Sequence, residues 1–290
     1  IGLAVIAELP LVVIDVQRGG PSTGLPTKTE QTDLMQALYG RNGESPVVVV
    51  APASPTDCFT MAFEACRLAI QHMTPVILLS DAFIGNGSSA WRIPEADEYP
   101  EIKPNYVPAE LRDGSWKPYQ RNEELVRYWA IPGTEGLAHR LGGLEKDAVT
   151  SAISTDPVNH EKMVLTRREK VARVANDIPE LEVLCNKDAD TILVGWGGTY
   201  GHLYTAAEEL NENGTPVAFA HFRYINPLPK NALEVLKGYK NIIVAELNTG
   251  MFADYLQAKL PGKDIRRINK IQGQPFLVSE VVDGVRNIIK

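Results

Sequence analysis

Three short runs, "LVVIDV" (11–16), "PVVVVAP" (46–52) and "PVILLSD" (75–81), constrain this chain more than any other feature. Each is β-branched and almost wholly apolar, without polar alternation, as strands covered on both faces must be. Between the last two lies "SPTDCFTMAFEACRLAIQHM". There Pro55 follows a Ser54 cap, and Phe59, Ala62, Phe63, Cys66 and Ile70 recur at helical spacing. Buried strands alternating with helices predict a parallel sheet in an α/β domain. Ligands of such sheets bind beyond the carboxyl ends of the strands, where Arg18 and Asp81 both fall.

The same alternation returns near the carboxyl terminus. "DTILVGWGG", "PVAFAHFRYINPLP", "NIIVAELN" and the shorter "IRRINK" read as strands. "YTAAEELNENG", "NALEVLKGY", "MFADYLQAKL" and "LVSEVVDGVRNII" read as the helices between and after them. Residues 188–290 therefore predict a second, smaller doubly wound domain. Residues 1–145 form the first, and 146–187 a helical linker whose charge run marks a solvated face. Within the first domain, residues 86–135 carry prolines, aromatics and acids with little periodicity, which predicts a long ordered excursion over the surface. The opening "IGLAVIAELP" reads as the end of a helix turning at Glu8–Pro10, with no basic segment of the kind that opens a secretory signal.

Composition excludes several classes. A net charge of −7 argues against nucleic acid or an anionic membrane as partner. No apolar run approaches the roughly 18 residues of a membrane span. The 3 cysteines, Cys58, Cys66 and Cys185, form no close pair. They suit free thiols in a reducing, cytoplasmic compartment, not a disulfide framework or an iron–sulfur ligand set.

"GWGGTYG" (195–201), between a strand and a helix, resembles a dinucleotide-binding loop, but Tyr200 replaces its third glycine. His221 and Arg223 stand where the ribose-binding acid would be expected. A tight structural or inter-subunit turn is the stronger reading. His160, Arg167 and Arg168 lie on the charged linker helix, and Glu246 and Asn248 at a strand's carboxyl end, without a fixed role. The hydroxyls Ser22, Thr23 and Thr27 have no histidine within forty residues to activate them, so a serine-hydrolase reading fails.

The remaining signal is the loop "QRGGPSTGLPTKTEQTDL" (17–34). It sets Arg18 among glycines, prolines and short hydroxyls. A guanidinium offers a planar fork suited to a carboxylate or phosphate, and the glycines let backbone approach a ligand. Two readings stand level on composition: an anion site, or a surface turn whose arginine pairs with Asp15 or Glu30.

The stretch "AELPLVVIDVQRGGPSTGLPTKTEQTDLMQALYGRNGESPVVVVAPAS" closely resembles the alpha subunit of the 2-oxoacid:ferredoxin oxidoreductases. "TPVILLSDAFIG", "IPGTEGLAHRLGGLEKD", "NHEKMVLTRREKV", "INPLP" and "VAELNTGMFADYL" extend the likeness over essentially the whole chain, closest to the 2-oxoglutarate branch. The resemblance implies a pyrimidine-type thiamine-diphosphate domain followed by a transketolase-C-like domain. It implies oxidative decarboxylation of a 2-oxoacid with coenzyme A, giving acyl-CoA, CO2 and reduced ferredoxin.

A beta subunit would hold the diphosphate, Mg²⁺ and a [4Fe–4S] cluster, and some members add a gamma subunit or domain. By resemblance Arg18 binds the substrate carboxylate and Thr27 lies in the substrate pocket, with Thr23 and Ser22 beside it. The family's cofactor-activating glutamate and "TSGPG"-type loop would precede Ile1, so the first domain reads as N-terminally truncated, and Glu8 is not that glutamate. Two alternatives remain: a non-redox thiamine enzyme subunit, and a noncatalytic alpha-like partner chain.

Overall fold

The computed structural model describes residues 1–290. In chain order the elements are α1 (Gly2–Ala7), β1 (Leu11–Gln17), α2 (Leu34–Tyr39), β2 (Val48–Val50), α3 (Asp57–His72), β3 (Pro75–Asp81) and α4 (Ala82–Asn86). After a long irregular stretch come α5 (Pro157–Arg173), β4 (Val183–Cys185), β5 (Thr191–Trp196), α6 (Tyr200–Glu212), β6 (Ala218–Phe222) and β7 (Tyr224–Asn226). The chain ends with α7 (Ala232–Lys237), β8 (Asn241–Glu246), α8 (Met251–Lys259), β9 (Ile265–Asn269) and α9 (Val278–Ile289). No helix is long and apolar enough to cross a membrane.

The strands make two sheets, ordered β1-β3-β2-β7 and β4-β6-β5-β8-β9. In the first, β1 and β2 both run parallel to β3, with Leu11 opposite Pro75 and Gln17 opposite Asp81. Arg18 and Asp81 therefore leave the sheet at the same end, as the strand-end argument expected. In the second sheet β5, β6, β8 and β9 are parallel, and α6 and α9 cover one face while α7 and α8 cover the other. Alternation along β5 divides its side chains: Leu193 faces α6, and Ile192 and Val194 face the opposite core. The chain is an α/β protein whose second unit is doubly wound.

Four local readings change. The segment "PVAFAHFRYINPLP" is two strands, not one: after β6 the chain bends at Arg223, and β7 pairs antiparallel with β2 of the first sheet. A further short strand, β4, adds to the second sheet as an antiparallel edge. Helix α3 buries Met61, Ala65, Leu68 and Ala69 against the first sheet, not the stripe through Phe59 and Cys66. Phe59 and Phe63 instead pack, tilted or edge-on, against Trp91 and Tyr99 of the excursion, with centroids 4.7–5.6 Å apart.

The charge run on α5 is only partly solvated. Arg167 and Lys170 are buried, the first forked onto Glu145 at 3.1 Å and the second 2.6 Å from Glu8. The N-cap of α3 is Thr56, not Ser54; the Ser54 hydroxyl lies just ahead of it and accepts from the Asp57 amide at 3.1 Å.

The excursion is ordered without regular structure. It holds two single-turn helices, Ala96–Glu98 and Ala109–Leu111, and main-chain bonds join Val107 and Asn105 to Trp129. Its own small core gathers Val107, Trp116, Ala130 and Leu137. The largest core cluster, 28 residues, ignores sheet boundaries. It runs from Leu34, Val49 and Ile77 of the first unit to Trp196, Phe222, Val244 and Phe252 of the second.

Candidate functional site

The loop after β1 is closed at its base by Gln17, whose side chain donates to the Ser80 carbonyl and accepts from the Asp33 amide, both at 3.1 Å. Higher up, the Gly19 amide donates to the Lys28 carbonyl and the Leu25 amide to the Gly19 carbonyl, each at 2.9 Å. Gly24 is required here: it sits at φ +46°, and a Cβ would fall 1.7 Å from the Gly19 carbonyl oxygen. Ser22 and Thr27 are also left-handed, at φ 56° and 60°. Such backbone costs a non-glycine residue about 1–3 kcal/mol and persists where surrounding contacts enforce it, often at ligand clamps.

The structure separates the residues that the sequence grouped. Arg18 is exposed and makes no ion pair or hydrogen bond within the chain, so the expected surface-turn partners Asp15 and Glu30 do not engage it. With Ser22, it lines an open cleft of about 650 Å³ whose other walls include Asp15, Glu30, Asp33 and Gln36. Thr27 faces a different hollow, of about 360 Å³, shared with Phe83, Asn86, Gly273 and Pro275. Thr23 is exposed at the loop tip.

What sequence reasoning missed is the anchor of this loop, Thr29–Glu30–Gln31, all buried despite their polarity. Thr29 donates to Asp81 at 3.0 Å. Asp81 also accepts the Phe83, Ile84 and Gly198 amides, which makes it a structural hub. Gln31 is bound on every side by the second unit. Its side chain donates to the Trp196 carbonyl at 2.8 Å and accepts from the Leu247 amide at 2.9 Å, and its main chain pairs with Leu247 and the Asn248 side chain. Burial pushes the Glu30 carboxyl up, against the opposing pull of the Gly20 and Gly273 amides. Burial does the same to Asp33, and to Asp15 with help from the nearby Asp33 charge. The only sequence signal was a polar run too long for a tight turn.

The other candidates are structural. At "GWGGTYG", a Cβ on Gly198 would lie 2.3 Å from Asp81 Oδ2, one on Gly195 2.3 Å from Leu203, and one on Gly197 2.8 Å from Gln31. Gly197 and Gly198 admit the first unit's Gln31 and Asp81 into the turn, so it is a seam between the two sheets. His221 bonds the Gly197 carbonyl at 2.9 Å, and burial pushes its pKa down to about 4. Glu246 is fully buried, accepting from Phe252, Ala253 and Trp196 Nε1, and Asn248 caps α8 through Gly250 and Met251. His160 is exposed beside Glu145.

No three His, Cys, Asp or Glu side chains converge to hold a metal ion. The buried carboxylates Glu8, Asp81 and Glu246 are all engaged by internal donors. What this chain presents at this end of the sheet is a guanidinium on a braced loop.

The fold and this loop define an α/β protein that presents the unpaired Arg18 at the carboxyl ends of parallel strands, where such sheets bind ligands. The comparisons make this specific. The profile described as pyruvate flavodoxin/ferredoxin oxidoreductase, thiamine-diphosphate-binding, matches residues 1–155, and that of pyruvate:ferredoxin oxidoreductase core domain II matches 189–281. The chain is 51% identical over 99% of its length to 2-oxoglutarate oxidoreductase subunit KorA of Mycobacterium tuberculosis, covering 43% of that protein. It is 31% identical to 2-oxoacid:ferredoxin oxidoreductase 1, subunit alpha, of Aeropyrum pernix, over 98% of this chain and 45% of that one.

In structure it matches the 2-oxoglutarate:ferredoxin oxidoreductase of Magnetococcus marinus, determined with 2-oxoglutarate, coenzyme A and succinyl-CoA bound. The TM-score is 0.91 at 31% identity, over 100% of this chain and 50% of that one. The chain belongs to the 2-oxoacid:ferredoxin oxidoreductase family, and it spans about half the length of these relatives.

Proposed function

We propose that this chain is the substrate-orienting part of an alpha subunit in a thiamine-diphosphate-dependent 2-oxoglutarate:ferredoxin oxidoreductase. The whole enzyme would convert 2-oxoglutarate and coenzyme A to succinyl-CoA and CO2, delivering two electrons to ferredoxin. A beta subunit would contribute the diphosphate and Mg²⁺ site and the [4Fe–4S] cluster, with a gamma subunit or domain completing the assembly. The free thiols Cys58, Cys66 and Cys185 agree with a cytoplasmic setting.

One observation carries the reading: Arg18 has no partner in its own chain, on a loop whose strained backbone is fixed by buried contacts. Arg18 is assigned to the substrate's 2-oxoacid carboxylate, which its fork can meet through two parallel N–H bonds. Ser22 adds a neutral donor in the same cleft. Thr27, reaching the neighbouring hollow, is assigned to the remainder of the substrate pocket, with Thr23 at its rim.

In the assembled enzyme Arg18→Ala should lower kcat/KM by about 30- to 1,000-fold, the loss of roughly 2–4 kcal/mol from a charge-assisted contact. Arg18→Lys should recover part of it, since a point charge does not reproduce the fork. Subunit assembly should be unchanged in both. An Arg18→Ala enzyme within threefold of the parent would return the loop to a surface turn.

A further inference from the structure

At the far end of α2 from Arg18 lies a second cleft, of about 540 Å³, where three parts of the chain meet. It is walled by the segment after α2, by α5, and by the β7 exit with the end of α8. Each part contributes a cation. Arg41 comes from the first, Arg168 from α5 and Lys259 from α8, against a single carboxylate, Glu44.

None of the three cations forms an ion pair. The Arg41 guanidinium is pinned by main-chain oxygens, to Ala37 at 2.8 Å and to Leu38 and Ser45 at 3.0 Å, so its position is fixed and its charge uncompensated. Arg168 is exposed and unpaired. Lys259 lies over the Tyr255 ring at 4.7 Å, and its ammonium is held below the usual range by burial and by the Arg168 charge beside it. Three like charges brought together against one carboxylate, Glu44, are an unfavourable arrangement that a bound anion relieves.

The Gly43–Glu44–Ser45 turn lining the cleft adds main-chain amides that make no bond within the chain, with Gly43 in the left-handed conformation at φ 69°. At the mouth stands Tyr39, 66% exposed, a flat apolar face beside the charges. The volume lies in the usual range for small-molecule sites, about 300–1,000 Å³.

We propose that this cleft binds a nucleoside diphosphate group, with the diphosphate between Arg168, Lys259 and the Gly43–Ser45 amides and the base against Tyr39. The site is independent of the Arg18 reading, because the two clefts stand at opposite ends of α2 and share no lining residue.

Calorimetric titration of the intact protein with ADP, with pyrophosphate and with coenzyme A, at low ionic strength, tests it. ADP and pyrophosphate should both bind. Arg168→Gln should weaken them by about 10-fold or more, the effect of one charge-assisted bond. Arg168→Gln with Lys259→Gln should abolish binding, Lys259→Arg should keep it, and Arg18→Ala should leave it unchanged. Tyr39→Ala should weaken ADP and spare pyrophosphate. The tighter of ADP and coenzyme A identifies whether a free nucleotide or the nucleotide end of the thioester carrier is the occupant. Failure of ADP and pyrophosphate to bind at millimolar concentration overturns the proposal, as does equal binding to the double variant. Absent nucleotide binding together with loss of partner chains from the double variant would assign these charges to an acidic protein segment instead.

Discussion

Gly198 shows at the scale of one residue how the site is built. Its amide donates to Asp81 Oδ2 at 3.2 Å, and the absence of a side chain is what lets that carboxylate in. Gly198→Ala places a methyl group 2.3 Å from the same oxygen. It should destabilise the protein by about 1–3 kcal/mol, read as a lower denaturant midpoint. A variant with the parent's midpoint would show that Asp81 does not seat in this turn. The sequence could announce Arg18, because one guanidinium among glycines and prolines stands apart from any helix or strand pattern. It could not announce Gln31, whose four bonds all go to residues 165 or more positions away. A buried glutamine in a polar run looks like any solvated one until its partners are in place.

Among elements, the end of α1 is the most consequential junction. Glu8 is 1% exposed, and it joins α1 to Lys170 of α5 and to Arg121 of the excursion, while Lys170 also donates to the Met73 carbonyl at the end of α3. Burial opposes the Glu8 charge, but the Lys170 and Arg121 charges outweigh it and hold the carboxyl below its ordinary 4.5. The stabilisation is complete above that value and is lost as pH falls through the lower folded one. Glu8→Gln should cost about 3–5 kcal/mol by leaving two buried cations without their partner, and should flatten the acid limb of the stability–pH profile below about pH 4.5. An unchanged acid limb in that variant would disprove the assignment. Strand and helix order was readable because β-branched runs and helical spacing are local signals. The inward face of α3 was not, because both of its faces are apolar: Met61 and Leu68 meet the sheet, while Phe59 and Phe63 meet the excursion's aromatic rings.

For the whole molecule, β7 and the shared core make the two units interdependent. Tyr224–Asn226 complete the first sheet although they follow a strand of the second, and Asn226 donates to the Val47 carbonyl at 2.7 Å. A fragment of residues 188–290 would expose Trp196, Phe222 and Phe252, all fully buried in the intact chain. The intact chain should unfold in one calorimetric transition, and the fragment should show no cooperative transition and bind a hydrophobic dye. Two separate transitions, one reproduced by the fragment, would contradict this. The coarse division into sheets was legible in the repeated strand–helix alternation. The strand that crosses between them was not, since nothing local distinguishes β7 from a continuation of β6.

The buried segment Thr29–Gln31 carries a consequence for anyone who would re-engineer substrate choice. The loop's rim belongs to the first half of the chain, but its footing is set in the second, at Trp196, Leu247 and Asn248. Transplanting residues 18–28 between relatives moves the visible contacts and leaves their foundation behind. A chimera that exchanges the carboxyl-terminal half would instead inherit the posture of an arginine it does not encode. On the proposed role of Arg18, selectivity would be inherited jointly from two stretches of sequence, and a library that varies only the rim would search half of the relevant space.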